Sequence, residues 1–290
     1  MDNKIAILVD TNSGISNEQA KKLGIHVVPM PFIIDGVEYF EGVNLDSQTF
    51  YDKLVNDSEI STSQPSIGVV ANIYDDILKE YDYIVHIPMS SALSKTYESA
   101  YMLSNQDEYL GKVFVVDNKR ISVTIEQSAM EALEMVKAGK SAKEIKEFLE
   151  ASAKDGSIYL MVDTLKYLKK GGRVTPAAAL LGSLLGIKPV LQIDGGKLDA
   201  FAKCRTVKSA RRMMIEQVKK DIEEKFGNDV IINFAHSFNE EGINEFINEA
   251  KQEFNALQID DNPRNISFSI MCHTGPGVIA ITCLKKHHFE

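Results

Sequence analysis

Apolar and polar residues alternate along this chain in two different patterns. In the first half, short continuous apolar runs are each closed by a polar loop and followed by a stretch of helical period. Residues 4–9, 83–88 and 113–116 read as such buried strands. Residues 25–34 read as one further apolar strand, which Asp35-Gly36 turns into residues 37–40 as a hairpin. Ser16 with Gln19, and Ser141 with Glu144, have the spacing of capping boxes, and Asp46 or Ser47 caps a helix running to about residue 56. Pro65 suits a first helical position, with the helix continuing through Ile73 and Ile77 to Tyr81. A long helix ends at Ala138, where Gly139 stops it, and the next runs to about residue 153. Strand and helix in alternation predict a mostly parallel sheet covered by helices.

After Ser157 the pattern changes. Residues 157–161 predict a strand, and residues 164–170 a short amphipathic helix stopped by Gly171-Gly172, where positive φ costs little. Thr175 can cap the next helix with Pro176 in its first turn. That helix, residues 177–185, is almost wholly Ala, Leu and Gly, so it is expected to be buried all round. A strand over 187–193 is joined by Gly195-Gly196 to residues 197–202. Helices over 207–226 and 240–254, a strand over 230–235, and strands over 266–271 and 278–283 around the turn 273–277 complete the chain. The expected fold class is α/β in two domains. Residues 1–156 form a mostly parallel helix-covered sheet, and 157–290 an α+β unit with antiparallel strands.

Composition narrows the function. With 290 residues the chain exceeds most single cores. A net charge of −9 argues against a nucleic-acid partner. Apolar content of 44% and charged content of 25% are ordinary for a globular protein. No apolar run reaches bilayer length and no signal-peptide pattern opens the chain, so the expected compartment is the cytoplasm. Three widely separated cysteines, Cys204, Cys272 and Cys283, give neither a disulfide framework nor a zinc spacing. No metal and no cofactor is expected.

Candidate chemistry lies in the loops. Residues 10–14 follow a strand, and ligand sites in open α/β sheets lie beyond the carboxyl ends of strands. Residues 61–66 and 89–97 are hydroxyl-rich and lead into helices, where free amides make anion sites; helix capping alone also explains them. Arg173 sits on a glycine turn beside the apolar segment 177–185. A polar head next to an apolar wall suits a lipid carboxylate, although the same stretch also reads as a core helix with a solvated cation. His273, beside Gly-Pro-Gly, is either a structural partner or a group facing a cleft. His26, His86 and His236 read as satisfied core residues, and His287 and His288 as exposed tail. Residues 138–141 end like a phosphate-binding loop, but Glu134 occupies the position of its first glycine, which excludes that motif.

Four motifs occur in order: Thr62-Ser63-Gln64-Pro65, Ser91-Ala92-Leu93-Ser94 with Thr96-Tyr97, Leu168-Lys169-Lys170-Gly171-Gly172-Arg173, and His273-Thr274-Gly275-Pro276-Gly277. With the Asp10-Thr11-Asn12-Ser13 loop, they resemble the DegV family over essentially the whole chain. The resemblance implies a bacterial protein, itself not an enzyme, that binds one long-chain fatty acid between its domains. It further implies, by similarity to the binding subunits of fatty acid kinase, that a separate kinase phosphorylates the carboxylate and the acyl phosphate enters phospholipid synthesis. By motif, Thr62 and Ser94 hold the carboxylate, with Ser63 and His273 in the same set. Arg173 flanks it, or serves the phosphate or a docking kinase. Ala178, Leu181, Leu184, Leu185 and Ile187 are the expected lining of the acyl tunnel. Lys95 departs from the glycine usual in the family. Two other classes remain open: an acyl hydrolase using Ser91 or Ser94 with His273 and Asp10 or Asp117, and a lipid-sensing interaction protein without a kinase partner.

Overall fold

Strand Ile5–Asp10 lies inside a four-stranded parallel sheet, between Ile25–Val28 and Tyr83–Ile87, with Val113–Val115 at the far edge. These relations come from a computed structural model that describes residues 3–56, 58–173, 175–176, 178 and 186–289. Successive side chains of a strand face opposite sides, and here both sides are apolar. Ile7, Val9, Val85 and Ile87 pack with Ile125, Ala129 and Met135 of helix Val123–Lys137 and Ile145 and Leu149 of helix Ala142–Ala151. Ala6, Leu8 and Ile84 pack on the opposite side with Val70 and Tyr74 of helix Ile67–Ile77 and with Ala100 and Leu103 of helix Thr96–Ser104. A strand buried on both faces has to be continuously apolar, which is why the pattern was so plain. Both capping boxes form as expected, and Asp46 caps helix Ser47–Val55 through the Thr49 amide.

The second large sheet has seven strands. Lys197–Cys204, Lys188–Asp194, Gly156–Met161, Ile279–Lys285 and Val230–His236 are neighbours in that order, all antiparallel. Two short strands, Gln258–Ile259 and Arg264–Asn265, run parallel to Val230–His236 at the edge. One face of this sheet, including Tyr159, Met161, Phe234, Ile279 and Ile281, packs on Met214 and Val218 of helix Val207–Asp221 and Phe246 and Ile247 of helix Glu240–Glu253. The opposite face carries Ile158, Leu160, Ala235 and Ala280, and it bounds a cavity.

Four sequence expectations are corrected. Residues 25–34 are two strands. Pro29 and Pro31 bracket Met30, whose amide donates to Thr11 Oγ1 at 3.1 Å, and prolines cannot donate to a ladder. Beyond that break, Pro31–Ile34 joins Val37–Phe40 and Ile60–Thr62 in a separate three-stranded antiparallel sheet. Pro65 precedes the helix instead of opening it: Ser66 is the N-cap, accepting from the Val69 amide. The strand expected over 266–271 is absent, and the chain forms helix Phe268–Thr274 there. Phe268, Met271 and Cys272, at helical spacing, are its buried apolar face. His287 is no exposed tail: its ring bonds the buried Glu131 at 2.9 Å and Asp155 at 3.0 Å, tying the end of the chain to the first half. His288 is exposed, paired with Asp229. His236 accepts from the Asn239 amide, and half-buried His26 lies edge-on to Tyr81. His86 bonds Tyr74 through Nδ1 while its buried Nε2 has no partner among the described residues, so His86 is only half satisfied.

Candidate functional site

The loop after strand Ile5–Asp10 is built around a buried carboxylate. Asp10 accepts the Asn12 and Met89 amides, each at 3.0 Å, and so joins residues 10–14 to the loop after Tyr83–Ile87. Burial raises its pKa to about 6, against the lowering effect of those amides. Asn12 reaches across to the second half, where its carbonyl oxygen accepts from the hydroxyls of Ser267 and Ser269. Asn12, Ser269 and Met89 all face the cavity.

The cavity has a volume of about 500 Å³, within the usual range for small-molecule sites. Thr62, Ser63, Ser94, Arg173 and His273 all line it, so the geometry assembles five residues from four separate sequence motifs. Thr62 ends strand Ile60–Thr62, and its Oγ1 lies 2.7 Å from Nε2 of His273. His273 stands in the last turn of helix Phe268–Thr274. Burial, and secondarily the Arg173 cation, lower its pKa to about 4, leaving the ring neutral near pH 7. Ser94 accepts the Thr96 amide at 3.2 Å and shares a hydroxyl contact with Thr96. Arg173 donates to the carbonyl of Gly171. Ile158, Leu160, Leu198, Ala235, Ile270 and Ala280 make an apolar part of the wall, while Gln64, Ser122, Thr274 and Thr282 add further polar groups. Strand register explains its shape: Ala280 is opposite both Leu160 and Ala235, so two small side chains leave space on that row.

Of the expected tunnel residues, Leu181, Leu184 and Leu185 lie outside the described residues. Ala178 is buried in the core cluster of Leu168, Leu191 and Leu198 and Ile187 packs against that cluster, but neither lines the cavity. Lys95 takes φ −82° and ψ 1° at the start of its helix, a conformation open to any residue, so the loop has no need of glycine there. Its ammonium pairs with Glu98 at 3.0 Å, and both line the cavity.

The hydrolase arrangement is not assembled. His273 bonds Thr62, and among the described hydrogen bonds it meets neither serine. Ser91 donates to Asp117 at 2.6 Å and accepts from Lys119 at 2.7 Å. Lys119 also pairs directly with Asp117. An ammonium held by a carboxylate has no lone pair with which to activate a serine.

Glu41 is a residue that sequence reasoning missed. Its carboxylate accepts the Phe268 amide at 2.9 Å, anchoring the helix that carries His273. Burial raises its pKa to about 7, the amide opposing this. A folded pKa above the unfolded value near 4.5 means that the native state binds the extra proton. Stability from this group therefore falls as pH rises from about 4.5 to about 7. Glu41→Gln keeps an acceptor without the charge. Its melting temperature is expected to exceed that of the parent at pH 8, with the gap closing by pH 5, as scanning calorimetry at both pH values would test.

Among the described residues no helix is long and apolar enough to cross a membrane, and no group of His, Cys, Asp and Glu side chains could hold a metal ion.

Residues 4–286 match the family model described as uncharacterised protein, DegV family. A DegV domain-containing protein of Staphylococcus aureus is 32% identical over 287 residues, covering 98% of this chain and 99% of its own. Two solved structures share the fold. One, from Thermus thermophilus, is described by fatty acid binding of a DegV family protein, with 27% identity, a TM-score of 0.88, and coverage of 98% of this chain and 100% of its own. The other is DegV of Bacillus subtilis, a fatty acid binding protein, with 28% identity, a TM-score of 0.84 and the same coverage.

Proposed function

The chain belongs to the DegV family, and from that premise we propose that it binds one long-chain fatty acid and presents the carboxylate to a separate fatty acid kinase. The observation that carries this reading is a cavity in which Thr62, Ser94, Arg173 and His273 adjoin an apolar sheet face. The solved relatives described as fatty acid binding support it. Burying about sixteen carbons contributes on the order of 10 kcal/mol at roughly 0.8 kcal/mol per methylene, before ordering costs. Affinity then comes chiefly from the tail. The head needs enough donors to offset the cost of burying a carboxylate. Thr62 and Ser94 supply hydroxyl donors, with Ser63 beside them, and Arg173 flanks the head. His273 completes Thr62: when its Nε2–H donates to Thr62 Oγ1, the threonine proton is free for the ligand.

In this reading residues 1–156 carry the head-group loops and 157–290 the acyl wall, including the segment 177–185. The kinase, in the cytoplasm, phosphorylates the presented carboxylate, and the acyl phosphate is used for phospholipid synthesis. Support for an outward-facing head comes from a second opening lined by Ser91, Thr175 and Lys197, which shares Ser94, Lys95 and Arg173 with the cavity. Arg173→Ala is expected to lower phosphorylation roughly tenfold while fatty-acid affinity changes by less than about fivefold, since an exposed charge contributes at most about 1 kcal/mol. Equal losses in the two assays would assign Arg173 to the carboxylate instead. The function itself is tested by adding palmitate to lipid-stripped protein. At a hundredfold excess over Kd a ligand stabilises by about 2.7 kcal/mol. The melting temperature should rise, and an unchanged value with a panel of fatty acids contradicts the reading.

A further inference from the structure

Gly171 was expected to share a left-handed turn with Gly172. Only Gly172 takes that conformation, at φ 67°; Gly171 is the last residue of helix Lys166–Gly171 and is absent from the left-handed region. Its backbone would accept alanine, and a helix favours alanine over glycine. What excludes a side chain is the ring of His273. A Cβ on Gly171 would lie 2.1 Å from Nδ1, 2.9 Å from Cε1 and 3.2 Å from Cγ of that ring. A point above the ring would be almost equally near all three atoms. The observed spread instead puts it outward from Nδ1, near the ring plane, where the lone pair or the proton of Nδ1 must project. The glycine Cα–H occupies this direction, and Nδ1 is buried with no hydrogen-bond partner among the described residues.

We infer that Gly171 is a positioning residue that fixes the tautomer of His273: the Cα–H facing Nδ1 leaves room for a lone pair and none for a proton. The proton then resides on Nε2 and is donated to Thr62 Oγ1, 2.7 Å away. Thr62, with its oxygen already accepting, turns its own proton into the cavity. One backbone position thus frees a threonine proton for donation, which suits an anionic or carbonyl oxygen of the ligand. The same residue's carbonyl accepts from Arg173, so Gly171 places two of the groups around the head of the ligand. The low pKa of His273 agrees with this, because an imidazolium would need a proton on Nδ1 as well. The identity of the ligand rests on the proposed function; the tautomer does not.

The experiment is a long-range ¹H–¹⁵N correlation spectrum of the histidine rings in lipid-stripped protein at neutral pH, with His273 assigned by its loss in His273→Gln. The expected result is a protonated Nε2 and an unprotonated Nδ1. A proton on Nδ1, alone or on both nitrogens, overturns the inference whatever the protein binds. Two variants add a functional arm. Gly171→Ala should lower palmitate affinity at least tenfold. The same change in the His273→Gln background should cost less than threefold, because the glutamine carries no ring nitrogen facing residue 171. Equal losses in both backgrounds would overturn the lock, since a merely structural glycine would matter equally in each. If the parent protein binds no fatty acid at all, the proposed function fails, and the tautomer is decided by the spectrum alone.

Discussion

Ala280→Phe is expected to lower the affinity for a long-chain fatty acid roughly 200-fold while leaving the fold intact. Ala280 stands on the cavity wall, opposite Leu160 on one neighbouring strand and Ala235 on the other. A phenyl ring there points into existing space, so the overpacking that normally costs 1–3 kcal/mol in a filled core is largely avoided. The ring would exclude about four methylenes of an acyl chain. At roughly 0.8 kcal/mol each, this removes about 3 kcal/mol of binding. Fluorescent fatty-acid displacement measures the loss, and thermal unfolding checks that stability is unchanged or higher. Unaltered affinity in a stable variant would mean that the acyl chain does not lie against this sheet face.

Thr62→Val should weaken binding of the same ligand by about 10- to 150-fold. Valine keeps the shape of the side chain and removes both the donor to the ligand and the acceptor for His273. A hydrogen bond to a charged group contributes about 1.5–3 kcal/mol, and the substitution also leaves the buried Nε2 of His273 without its partner. The loss should fall on head-group recognition alone. A fatty alcohol of equal length, which has no carboxylate, should lose much less affinity than the acid. Equal losses for acid and alcohol would indicate that Thr62 shapes the cavity and does not bind charge.

What the sequence made legible here was mostly local. Buried parallel strands declare themselves by continuous apolar runs, and capping boxes by their fixed spacing, as at Ser16 and Ser141. Thr62, Ser94, Arg173 and His273 stood out because their motifs could be seen without knowing how the chain folds. Residues 266–271 were misread because a six-residue apolar run fits a strand and a buried helix equally well. The packing of Phe268 on Phe50, with ring centroids 4.2 Å apart, and edge-on to Phe32 shows which face it buries. The acyl wall was invisible for a different reason. Ile158, Leu160, Ala235 and Ala280 come together through strand register, which alternation within a single strand does not reveal. Gly171 and Glu41 were hidden too, since each is constrained by a partner more than a hundred residues along the chain, His273 and Phe268 respectively.

The most direct test of the central claim is denaturing mass spectrometry of lipid extracted from the purified protein. One equivalent of a long-chain fatty acid per chain is the expected result, and its mass would report the preferred length and unsaturation. A protein that is empty as purified, and still empty after incubation with a panel of fatty acids, would contradict the claim and leave the fold without its ligand.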